Sequence, residues 1–123
     1  MIRTASVLMI CLLVTGCSPP EIDIAFVRSN GRPTIRFSQE WGIVFSHRQV
    51  PCIDTVEVYE QKVDGSLVWR IEALGVQCLD LELLLIGHAP LGFTETFALT
   101  RPPRGRHSVI VEGIGSGVAT LTF

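Results

Sequence analysis

An all-β fold, a small antiparallel β-sandwich, is what this sequence predicts, and three observations predict it. Beyond residue 21, apolar residues recur mostly at every second position, the period of a strand with one buried face. Gly, Pro, Asn and Asp interrupt these runs about every 8–12 residues, the rhythm of sandwiches and barrels. No segment of that region carries a convincing helical period. Roughly seven to nine short strands result, and an immunoglobulin-like sandwich accommodates them.

The elements follow in order. Ile22-Asp23-Ile24-Ala25-Phe26-Val27 places Ile22, Ile24 and Phe26 on one face. Asn30-Gly31 predicts a tight turn. Pro33-Thr34-Ile35-Arg36-Phe37-Ser38 turns Ile35 and Phe37 inward, and a proline is tolerated where a strand begins. Glu40-Trp41-Gly42 breaks the pattern, and Ile43-Val44-Phe45 reads as a third short strand.

The clearest hairpin joins residues 55–62 and 67–72 through Val63-Asp64-Gly65-Ser66, since Asp-Gly between alternating runs favours a two-residue turn. That turn sets Val58 opposite Ile71, Val56 opposite Ala73 and Tyr59 opposite Arg70. The apolar residues then fall together, but Glu57 faces Glu72, a like-charge pair that Arg70, diagonal to Glu57, would have to offset.

Residues 79–86 are apolar enough for a helix, yet they open with strict alternation between glycine turns, so a strand is predicted. Residues 93–100, rich in Thr and Phe, form another strand, and Arg101-Pro102-Pro103-Arg104-Gly105 a loop. Residues 108–112 and 118–123 make a last hairpin about Gly113-Ile114-Gly115-Ser116-Gly117. This glycine run lacks the Lys-Ser/Thr of a phosphate loop and the helix a dinucleotide site requires.

The length suits one domain, with a core whose margin is small enough for one crosslink to matter. The formal net charge is -2. Arg3 is the one charged residue among the first sixteen, so the chain from Cys17 onward has nine basic and twelve acidic residues, a formal -3. No clustered basic footprint of the kind nucleic acid requires is present.

The N-terminus has its own logic. Met1-Ile2-Arg3-Thr4 is a short basic start, and residues 5–14 are a continuous run without charge. The uncharged stretch from Thr4 to Gly16 is shorter than the about 20 residues a membrane-spanning helix needs, which makes it a signal peptide pattern. It ends in Val14-Thr15-Gly16-Cys17: an aliphatic residue, a β-branched one, a small one, then cysteine. This resembles the lipobox of bacterial lipoproteins at all four positions, and the resemblance covers the leader alone. It implies that residues 1–16 are removed and that Cys17 carries a diacylglycerol on sulfur and commonly an acyl chain on its new amine. Two or three acyl chains give stable anchoring where one does not. Ser18, where Asp would mark inner-membrane retention in enteric bacteria, favours the outer membrane, with the domain facing the periplasm. The resulting division is a signal peptide at 1–16, a lipidated N-terminus and spacer at 17–21 that includes the stiff Pro19-Pro20, and a β-sandwich at 22–123.

Cysteine usage follows from that resemblance. Of the four cysteines, Cys11 leaves with the leader and Cys17 is lipidated, so Cys52 and Cys78 remain in an exported domain where disulfides persist. A Cys52–Cys78 bond closing a loop of about 26 residues would stabilise by roughly 3.5 kcal/mol in the chain-entropy estimate. The alternatives are two buried thiols or a zinc site, and no Cys or His lies near either cysteine at zinc-ligand spacing.

Chemistry-bearing residues are sparse. His47, His88 and His107 lie at strand ends or in loops, none spaced as a metal pair. Ser38, Ser46 and Ser66 lack a nucleophile-elbow context, and no pair of carboxylates is singled out. Trp41, Tyr59 and Trp69 offer either a binding surface or packing. Arg101, Arg104 and Arg106 around Pro102-Pro103 form a small basic loop suited to acidic envelope polymers or a partner protein. The expectation is a lipid-anchored envelope protein whose sandwich serves binding or assembly. It has no expected cofactor, metal or catalytic residue, its contacts are the membrane and an envelope partner, and Trp41, Tyr59, Arg101, Arg104 and Arg106 are the candidate binding residues. The alternative is a small envelope hydrolase using carboxylates or His88 and His107, which requires those groups to converge in a pocket.

Overall fold

A computed structural model describes residues 18–61 and 65–123 of the chain. The leader, for which a helix is expected, and Cys17 lie outside the described residues, as does Asp64 of the expected turn. Among the described residues there is no helix. There are ten strands: β1 (Ile22–Ser29), β2 (Arg32–Trp41), β3 (His47–Gln49), β4 (Cys52–Glu60), β5 (Leu67–Ala73), β6 (Leu79–Asp80), β7 (Leu83–Leu85), β8 (Phe93–Phe97), β9 (Arg106–Gly113) and β10 (Gly115–Thr122).

They form two antiparallel sheets packed as a small β-sandwich. One runs β1-β2-β3, with β7 also paired to β2; the other runs β10-β9-β4-β5-β8, with β6 paired to the start of β4. Inward positions of the alternating runs fill the space between them. Ile22, Ile35, Phe37 and Leu84 come from the first sheet, and Ile53, Val56, Val58, Trp69, Ile71, Val109 and Val111 from the second. Trp69 is fully buried, so of its two expected roles it takes packing, and its indole N–H donates to Glu95 Oε2 at 2.6 Å. Gly117 stands where β10 crosses β1; a Cβ there would come within 2.1 Å of the Ile22 carbonyl oxygen.

The antiparallel registers sort the loops between two ends. Ile22 pairs with Gln39, so the chain before β1 and the chain after β2 leave at one end. The Gln39 amide nitrogen donates there to the carbonyls of Pro20 (2.7 Å) and Ile114 (2.8 Å), tying the spacer, β2 and the β9–β10 tip together. Ile53 pairs with Gly113 and with Leu79, which puts the start of β4 at this N-terminal end as well. The Asn30-Gly31 turn, both residues at positive φ as expected of a two-residue hairpin, lies at the far end with the close of β4 and the opening of β5 and β9.

Cys52 and Cys78 are bonded, with Cα atoms 5.3 Å apart. The bond stays within one sheet and ties the open end of the β4–β5 hairpin, because Cys78 directly precedes β6 and β6 pairs with β4.

Four local expectations are corrected. In the β4–β5 hairpin, Val58 faces Trp69, Val56 faces Ile71, Thr55 faces Glu72 and Glu57 faces Arg70, and a bulge after Val58 brings Tyr59 opposite Leu67. The connection spans residues 61–65, since the Glu60 N–H donates to the Ser66 carbonyl. A two-residue slip leaves every side chain on its original face, so the apolar pattern does not separate the two registers; the charges do, because the observed one sets Glu57 against Arg70.

Residues 43–45 are not a strand. Gly42 at φ 100 reverses the chain so tightly that a Cβ there would lie 2.2 Å from the Phe45 carbonyl oxygen, and the third strand begins instead at His47. Residues 79–86 are two strands, because the chain changes sheets at the buried Leu81: β6 pairs with β4 and β7 with β2. Residues 113–117 are mostly ladder. β9 and β10 pair as far as Gly113 with Gly115, leaving Ile114 as the tip.

Candidate binding site

The sheet order creates a groove at the far end. β8 and β9 flank the β4–β5 pair on opposite sides, so their connection, residues 98–105, must arch across the ends of β5 and β4. Pro102-Pro103 suits such an arch, since it is stiff and has no N–H groups needing partners. Leu99 packs the arch onto the core. Gly105 and Phe123 exchange two backbone hydrogen bonds (3.2 and 3.0 Å), and the Gln61 N–H donates to the Arg106 carbonyl at 3.2 Å.

Between the arch and the strand ends lies a cavity of about 940 Å³, near the top of the range that encloses small ligands. Leu67, Val68, Phe97 and Leu99 supply apolar lining, and Arg101, Arg104 and Arg106 stand exposed around it. Among the described residues none of the three arginines has an ion-pair partner. A guanidinium presents a planar fork of donors that matches carboxylate or phosphate oxygens, so three around an apolar floor favour an anionic ligand with an apolar part.

Glu60 and His107, paired across β4 and β9, also border the cavity. His107 is 5% exposed, its Nδ1 lies 3.1 Å from the Gly105 carbonyl oxygen, and its ring packs on Phe123 at 5.4 Å between centroids. This histidine shores up the arch. The Gln61 side-chain oxygen accepts from Ser108 Oγ at 3.0 Å and Thr120 Oγ1 at 3.3 Å, fixing the neighbouring wall.

The three arginines singled out in the sequence therefore converge, and the two aromatic candidates do not join them. Trp41 closes β2 at the N-terminal end, where its indole N–H donates to Gln39 Oε1 at 3.2 Å. Tyr59 is absent from the cavity lining and belongs to a polar network around Arg70. Its hydroxyl donates to Glu57 Oε2 at 2.8 Å. Arg70 lies 3.7 Å from the same carboxylate and donates to Glu72 Oε2 and Thr96 Oγ1, each at 2.7 Å. The bond to Glu57 raises the Tyr59 pKa above the ordinary phenol value, helped by burial and by the Glu57 charge, with Arg70 opposing. The bond to Glu72 raises that of Arg70.

His88 is exposed and outside the lining, and His47 is exposed beside Gln49, 2.7 Å away. Among the described residues no cluster of three His, Cys, Asp or Glu is placed to hold a metal ion. Sequence reasoning missed the apolar floor because Leu67, Val68 and Phe97 read as ordinary strand residues. The available signal was Phe97 and Leu99 immediately before Arg-Pro-Pro-Arg.

The chain matches no family model, and comparison with curated proteins and with solved structures returns no match.

Proposed function

We propose that this chain is a lipid-anchored bacterial envelope protein, held in the outer membrane through Cys17 and facing the periplasm, whose sandwich binds an acidic envelope partner at the arginine-lined groove. The anchor half rests on Val14-Thr15-Gly16-Cys17 behind an uncharged run. The binding half rests on one observation: three arginines without ion-pair partners, among the described residues, surround an apolar-floored cavity of about 940 Å³. Holding like charges together on a stiff arch costs Coulomb energy that an anionic ligand would offset. The partner class is an acidic protein segment with apolar side chains, because the floor adds contact area that a purely polar anion would leave unused.

Two experiments separate the halves. Cys17→Ala should abolish lipid labelling and release the protein from the membrane fraction; continued lipidation refutes the anchor. Cross-linking in intact envelopes should capture a stoichiometric partner with the wild type, and Arg101→Glu, Arg104→Glu and Arg106→Glu together should lose it. Equal capture by the charge-reversed protein, or none by the wild type, overturns the groove as the binding surface.

A further inference from the structure

We infer that the N-terminal end of the sandwich is itself a membrane-contact surface, with Ile43, Val44 and Phe45 inserting into the interfacial layer of the bilayer beside the anchor. The inference rests on the lipid-anchor reading for which surface lies nearby. The geometry is carried by residues among 18–61 and 65–123 alone.

The first observation is the turn. Ile43, Val44 and Phe45 are 94%, 83% and 88% exposed, three consecutive large apolar side chains in water. They are not on a loose loop: Gly42 at φ 100, closed against the Phe45 carbonyl, forms a tight reversal between β2 and β3. A fixed turn that points apolar side chains outward forgoes burial on its own core, which is the behaviour of a surface meant to be covered.

The second observation is where the other exposed apolar residues sit. Twelve large hydrophobics are exposed among the described residues, and nine of them gather at this end. Besides the turn they are Val50 before β4, Leu74 and Val76 after β5, Leu79 opposite Ile53, Leu91 beside the Gly92 carbonyl that accepts the Leu74 N–H, and Ile114 at the β9–β10 tip. Only Leu83, Phe97 and Val118 lie elsewhere. Exposed apolar side chains gathered on one side of a fold mark a surface that meets an apolar neighbour.

The third observation says which neighbour. The chain enters the domain at this same end, with the Pro20 carbonyl held by Gln39. Cys17 is three residues upstream in the sequence, and three residues of chain span at most about 11 Å. Before it runs the uncharged stretch from Thr4 to Gly16. Acyl chains on Cys17 would hold this end at the bilayer, where apolar side chains reach roughly 5–10 Å into the headgroup and acyl boundary. Trp41, half-exposed behind the turn with its N–H bonded to Gln39, has the amphipathic character that favours this layer.

The charged groups at this end fit a shallow position. Arg48 lies between Asp23 (3.6 Å) and Glu40 (4.0 Å), which limits the net charge beside the turn. The exposed carboxylates of Glu21, Asp80 and Glu112 limit the depth. A contact driven by apolar burial depends little on salt or on anionic lipid.

The test uses the mature full-length protein reconstituted into phosphatidylcholine vesicles, with and without brominated acyl chains. Phe45→Trp places an indole in the turn, and Ser29→Trp places one at the far end, both at exposed positions that leave the core intact. The Phe45→Trp emission should shift to the blue and be quenched by bromine above the wild-type background, equally at low and high salt, while Ser29→Trp should match the wild type. Emission of Phe45→Trp unchanged by vesicles overturns the inference, as does equal quenching at both positions or a concentration-dependent dimer with an unquenched turn. Intact mass of the same samples reports the lipid on Cys17 separately. An unlipidated protein whose turn is still quenched refutes the anchor and supports the surface; a lipidated protein whose turn stays in water does the reverse.

Discussion

The two ends of this sandwich are built from the same strands and have opposite chemistry. At the N-terminal end, exposed Ile, Val, Leu and Phe crowd around the disulfide and the entry of the chain. At the far end, a proline-stiffened arch carries three arginines over an apolar floor. The difference teaches that sheet order sets what each end offers. At the N-terminal end the β2–β3, β3–β4, β5–β6 and β9–β10 connections are all short, whereas the crossover of residues 98–105 at the far end leaves room for a cavity. An apolar end and an arginine-lined end then follow from a single topology.

The largest expected effect tests whether the N-terminal end is held by its crosslink. Cys52→Ser with Cys78→Ser should lower the unfolding free energy by roughly 3.5 kcal/mol, from the loop of 26 residues it opens. Urea denaturation measures it, and a change below about 1 kcal/mol would mean that the hairpin's open end is fixed by packing alone. Next, Gly42→Ala should destabilise by about 1–3 kcal/mol, because it forces a Cβ into a positive-φ turn and against the Phe45 carbonyl. The groove should be indifferent to that change, so partner capture by the folded variant should persist. Loss of capture would break the independence of the two ends.

Smaller effects sharpen the contrast. Arg101→Ala, Arg104→Ala and Arg106→Ala should each alter stability by no more than about 0.5 kcal/mol, since they are exposed and have no ion-pair partner among the described residues. A marked loss would make the arch a structural brace instead of a binding element. The smallest effect concerns the polar network between the ends. Tyr59 is the only tyrosine, so alkaline titration followed at the phenolate absorbance reports it alone. Its folded pKa is raised above the unfolded value, so the stabilisation it contributes is present below the unfolded pKa and is lost as pH rises through the folded one. Glu57→Gln should move the titration midpoint down towards the ordinary value. An unchanged midpoint would remove Glu57 as the cause.

Much of the fold was legible residue by residue. Asn30-Gly31 dictated its hairpin because few other residue pairs accept positive φ twice. Period-two alternation identified β1, β2, β4, β5 and β9, whose inward faces are the core. Ile43-Val44-Phe45 misled because β-branched and aromatic residues signal a strand whether or not a neighbouring strand exists to pair with them. Leu79 to Ile86 misled because its opening alternation reads as one strand, whereas the chain passes from one sheet to the other at the buried Leu81 and leaves Leu79 and Leu83 exposed. Of the candidate site, the arginines were visible as a cluster in the chain. Of their apolar floor, Phe97 and Leu99 lie just before them in the chain, whereas Leu67 and Val68 come from some thirty positions upstream, where no local pattern connects them to the arginines.

By itself the sequence determined the all-β class, the first hairpin and the basic loop, since alternation and turn chemistry are properties of neighbours in the chain. Tertiary structure alone decided the hairpin register, the change of sheet at Leu81, the cavity beneath the arch and the gathering of exposed apolar residues at one end. The physical reason is that these depend on which distant segments become adjacent. A two-residue slip is invisible to hydrophobic patterning, and an exposed Ile or Leu has the same name as a buried one until the strands around it are in place.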